Sequence, residues 1–155
     1  MNDERTTQLD RMRYTKNTAS SRLGLLAIVF DVLFFISIYK SDVGTYYYTA
    51  VTGGSIICNL VFMLLAFLCS EGVKMYQKAY TWVMAALGAV QIARIFVIPM
   101  DAHRTLAGTE PVMGTPQFIF MVTCLALSAA CLFAGAAVNL KKSRALSAHL
   151  ASLQA

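Results

Sequence analysis

Charge is what this chain has least of. Only 14% of its 155 residues are Asp, Glu, Lys or Arg, against roughly 25% in soluble domains. Proline is also scarce, confined to Pro99, Pro111 and Pro116, so long stretches carry no helix breaker. Histidine occurs only at His103 and His149, too thinly for a histidine-rich metal site. The four cysteines (Cys58, Cys69, Cys124 and Cys131) form no C-x-x-C pair. That spacing speaks against a redox dithiol, a membrane disulfide-exchange enzyme and the common zinc motifs. No G-x-S-x-G, H-E-x-x-H or phosphate-loop signature is present. No enzymatic activity, cofactor or metal is therefore expected.

What is there is apolar. Hydrophobic residues make up 57% of the chain and mean hydropathy is +0.59. They are grouped into runs of about 20, the length that crosses a hydrocarbon core about 30 Å thick. A soluble chain would need a core large enough to bury helices apolar on every side, and this one is too short for it. The expected fold is all-α: an integral membrane four-helix bundle forming a single domain. The spans are placed at about 23–39, 50–69, 80–98 and 117–138, with a loop at 99–116 and polar segments at 1–22 and 139–155. Glu71-Gly72 is expected to close the second span, glycine being suited to a helix C-terminus. Residues 99–116 should be irregular, with a tight turn near Glu110-Pro111. Tyr46, Tyr47 and Tyr48 on one side, and Tyr76, Tyr80 and Trp82 on the other, suit interfacial aromatic belts. Leu146, Leu150 and Leu153 are spaced for a short amphipathic tail helix.

The net charge of +5 is a topology signal rather than a mark of nucleic-acid binding. Arg5, Arg11, Arg13, Lys16 and Arg22 precede the first run, Lys74 and Lys78 lie between the second and third, and Lys141, Lys142 and Arg144 follow the fourth. The opposite flanks hold only Lys40 and Arg104. By the positive-inside rule both termini are cytoplasmic and the long loop faces outside. A bacterial plasma membrane is the expected location. The basic end segments could bind anionic lipid head groups.

One basic residue remains, and it lies inside a run. The stretch AALGAVQIARIFVIP at 85–99 places Gln91 and Arg94 one helical turn apart. The only acid within another apolar run is Asp31, nine residues from both Arg22 and Lys40. A lone charge at the centre of a membrane helix costs on the order of 3 kcal/mol on insertion scales. Asp31 shares a helical face with Ser20, Gly24 and Ala27, the small-residue kind of face that packs against other helices in membranes. Asn59 and Ser128 fall at similar depth. All four helices thus offer a polar side chain to one layer, and Asp31, Arg94, Gln91, Asn59 and Ser128 are expected to form a satisfied cluster. Two roles compete for it. One is structural, fixing neighbours and register; the other is a transport path, which ionisable residues at membrane depth often mark.

The remaining candidates are weaker. His103 has only Asp101 and Glu110 near it in sequence, and three or four ligands are needed for a metal. His149 reads as a surface residue. Cys124, Ser128, Cys131, Gly135 and Asn139 recur at helical spacing and read as a close-packing face. The expected function is that of a non-enzymatic accessory or assembly subunit of a larger membrane complex, such as a transporter, with a protein partner or further copies of itself in the bilayer. The alternative is a small oligomeric transporter or channel using the polar layer.

Overall fold

A computed structural model describes residues 16–39, 49–97, 99–103 and 113–154. Among these every regular element is helical: α1 (Thr18–Tyr39), α2 (Thr49–Lys74), α3 (Lys78–Val97), the short α4 (Pro99–His103) and α5 (Thr115–Gln154). Four of them, α1, α2, α3 and α5, are long and apolar enough to cross a membrane.

The surface is rich in large apolar side chains, and polar residues are buried beside the apolar core. Ile57, Leu64, Trp82 and Phe96 are each more than half exposed, whereas Asn17, Asp31, Asn59, Gln91 and Asn139 are buried. Such a surface is stable against lipid rather than water. The helix α5 is the central post: α1 and α3 pack most extensively on it. Helix α2 leans mainly on α1, and its seam with α3 is the thinnest of the four. Close approach is bought by small residues. Met84 of α3 is fully buried, and a methyl built on Gly24 of α1 would stand 2.8 Å from its Cε, one on Gly135 of α5 3.0 Å. Two apolar clusters result. One contains Ala27, Phe62, Ala66, Met84, Leu87 and Leu132; the other contains Phe34, Met113, Met121, Cys124 and Leu125.

Several sequence expectations need correction. Helix α1 begins at Thr18, five residues before the start expected from hydropathy. The side-chain oxygen of Asn17 accepts the Ser20 N–H at 3.4 Å, which caps the helix. Glu71-Gly72 does not close α2, which runs on to Lys74. Gly72 O accepts from Gln77 N at 3.4 Å and Val73 O from Tyr76 N at 3.2 Å. This is the Schellman pattern, and the left-handed position that glycine usually fills is held by Tyr76 at φ 57°. Gly72 is small for another reason: a Cβ there would overlap the ring of Tyr80. Tyr80 thus packs inward on Gly72, while Trp82 stays on the outer surface.

Residues 99–103 are helical rather than irregular, with Pro99 at the first position, where its missing N–H costs nothing. The expected turn at Glu110-Pro111 and the Tyr46–Tyr48 belt lie outside the described residues. The fourth span and the tail are one helix: α5 continues without a break to Gln154, since no glycine or proline follows Gly135.

Two glycine substitutions separate these roles. Gly72→Ala should destabilise the bundle by about 1–3 kcal/mol, the usual cost of overpacking. Gly54→Ala, where the added Cβ meets nothing within 4 Å, should stabilise it by roughly 0.5–1 kcal/mol through helix propensity. Thermal unfolding in detergent measures both.

Candidate functional site: a buried polar layer

The two apolar clusters are separated by a polar layer. Asp31 lies between Ala27 and Phe34 on α1, and Ser128 between Leu125 and Leu132 on α5. Gln91 of α3 follows Leu87 by one turn. Asp31, Gln91 and Ser128 are fully buried and Asn59 is 2% exposed.

The hydrogen bonds can be followed atom by atom. Arg94 Nη1 donates to Asp31 Oδ1 at 2.8 Å and to Gln91 Oε1 at 2.9 Å. Its Nη2 donates to Asn59 Oδ1. Gln91 Nε2 donates to Asp31 Oδ1 and to Ser128 Oγ, both at 2.9 Å. Ser128 Oγ in turn donates to the Ala27 carbonyl of α1 at 3.0 Å. The guanidinium carbon also lies 4.9 Å from the centroid of the Phe34 ring and 5.4 Å from that of Phe62, within cation–π range. One cation is therefore held by a carboxylate, two amides and two aromatic faces drawn from three helices, and Ser128 ties in the fourth. The five residues singled out in the sequence all meet here.

The layer departs from the expected fully satisfied cluster in two ways. The Arg94 side chain retains 17% of its exposure while Asp31 retains none, so the layer reaches the bundle surface at its cationic end. In addition, Asp31 Oδ2 and Asn59 Nδ2 are buried with no partner among the described residues. Each such group costs about 1–3 kcal/mol.

A second polar tier, near the start of α1, was not anticipated. Asn17 Nδ2 donates to Asn139 Oδ1 at 2.9 Å, and Asn139 Nδ2 donates to Thr81 Oγ1 at 2.7 Å. The Asn17 backbone N–H donates to the Lys74 carbonyl at 3.1 Å. These bonds join α1, α5, α3 and α2. Ser20 Oγ donates to the Gly135 carbonyl at 2.6 Å, and Ser70 Oγ donates to the Ser21 carbonyl at 2.9 Å. The available signal was helical spacing, which puts Ser20 on the Asp31 face and Asn139 on the Ser128 face.

The other candidates are placed apart from the layer. His103 is 3.0 Å from the Met113 carbonyl through Nδ1 and stacks on Phe118 at 4.4 Å, a clasp between α4 and the start of α5. His149 lies far along α5, half-buried. Cys69 and Cys124 are buried, Cys131 is partly so, Cys58 faces outward, and none is disulfide-bonded. Among the described residues no three of His, Cys, Asp and Glu are grouped as metal ligands would be. Comparison with known proteins returns no match: no family model fits the chain, and no curated protein or solved structure proves similar to it.

Removing one partner of a buried pair leaves the other uncompensated. Arg94→Leu should lower stability by about 3–5 kcal/mol, and Asp31→Leu combined with Arg94→Leu should recover most of that loss. Unfolding of the three proteins in detergent checks this; a double variant no more stable than Arg94→Leu would contradict the pairing.

Proposed function

We propose that this chain is a non-enzymatic accessory or assembly subunit of a larger membrane complex, such as a transporter. The observation that carries the reading is the 40-residue helix α5. It forms the centre of the bundle and then runs on past Asn139 as an arm of roughly 22 Å at about 1.5 Å per residue. Lys141, Lys142 and Arg144 are exposed near its base. Leu146 is half-buried and Leu150 is 37% exposed farther along. An arm continuous with the bundle core is suited to gripping a partner while the bundle sits in lipid. With ten of the thirteen Lys and Arg residues on one set of flanks, both termini and the arm are cytoplasmic. There the basic base of the arm lies within reach of anionic head groups, in what is read as a bacterial plasma membrane.

Purification of the full-length chain from its native membrane tests this. A stoichiometric membrane partner should accompany it and be lost from Leu150→Asp, at an exposed position, while the thermal unfolding of the bundle stays unchanged. A wild-type chain that always purifies alone would overturn the proposal.

A second reading is favoured by the exposed edge of Arg94. In it the chain is a small oligomeric transporter or channel working through Asp31, Arg94, Asn59 and Gln91. Purified protein in liposomes should then carry an ion or small solute, and Gln91→Leu should abolish the flux. Absence of flux across a panel of ions and neutral solutes counts against it.

A further inference from the structure

Among the described residues, two buried side-chain atoms of the polar layer have no hydrogen-bond partner. Gln91 gives both amide hydrogens to protein acceptors and its oxygen receives Arg94. Ser128 both accepts and donates. The two buried atoms left over are an acceptor, Asp31 Oδ2, and a donor group, Asn59 Nδ2, each without a partner among the described residues. Both belong to side chains that hold the same guanidinium, one on Nη1 and the other on Nη2. Buried polar groups of this kind are commonly satisfied by an internal water with two to four hydrogen bonds.

We propose that the layer binds one small neutral molecule of hydroxyl chemistry, water or a small polyol, between Asp31 and Asn59. Its O–H donates to Asp31 Oδ2 and its oxygen accepts from Asn59 Nδ2. The charge balance selects a neutral guest, because the carboxylate and the guanidinium already cancel and an ion would leave the layer charged in an apolar bundle. The walls select a small one: the Phe34 and Phe62 rings stand against the guanidinium, and both residues are buried. Entry is beside Arg94, whose side chain keeps 17% of its exposure, the most of any member of the layer. The site is compatible with either functional reading and depends on neither.

Solid-state NMR of the full-length, nitrogen-15-labelled protein in phosphatidylcholine–phosphatidylglycerol bilayers tests the proposal. Magnetisation transferred from water to side-chain amides should reach Asn59 strongly. It should reach Gln91, whose amide hydrogens are both held by protein, weakly. Adding glycerol distinguishes the occupants. A shifted Asn59 signal with water transfer lost identifies a polyol site, and an unchanged signal with transfer retained identifies water. Transfer to Asn59 no stronger than to Gln91, with no response to glycerol, would overturn the proposal.

Discussion

A guanidinium placed inside an apolar bundle must be neutralised and hydrogen-bonded, and much of this molecule follows from that requirement. Arg94 cannot be left facing lipid, and its neighbours answer it from every side. Asp31 supplies the charge, Asn59 and Gln91 supply oxygens, and Phe34 and Phe62 supply aromatic faces. Each contact ties α3 to another helix or orders its own turn. Apolar packing in lipid is weakly directional, because lipid tails are as apolar as leucine. The polar contacts supply what packing lacks, namely a preferred register.

The second tier repeats this logic at the Asn17 end. A chain of amides, Asn17 to Asn139 to Thr81, links α1, α5 and α3, while the Asn17 backbone holds the end of α2. Between the two tiers lies the tight packing of Met84 against Gly24 and Gly135. Helices pinned at two depths cannot slide past one another without breaking both sets of bonds. The α2–α3 seam is the exception in extent, and the cation is the member of the polar layer that reaches the surface.

The legibility of these features followed their contrast with the surrounding sequence. Asp31, Arg94, Gln91, Asn59 and Ser128 stand out because they interrupt apolar runs, and residue counts from the flanks convert directly into membrane depth. Asn17, Ser70 and Thr81 sit near the ends of those runs, where polar residues are ordinary, so their burial gave no local signal. Gly72 was misread because a glycine near a helix end suits both a left-handed cap and a close contact. The ring of Tyr80, eight residues on in the chain, decides for the contact. The continuity of α5 was hidden by a change in composition at Asn139 that alters which medium suits the helix but not its backbone. The short helix α4 begins at a proline that reads equally well as a stop.

That continuity has a geometric consequence. A helix with no break carries angular phase from one end to the other, about 100° for each residue at 3.6 per turn. The direction in which Leu146 and Leu150 point is therefore set by where Ser128 and Asn139 point inside the bundle. Adding or deleting one residue between Asn139 and Leu146 would swing the distal face through more than a quarter circle while leaving both polar tiers intact. The arm thus has a compass bearing fixed by the bundle interior.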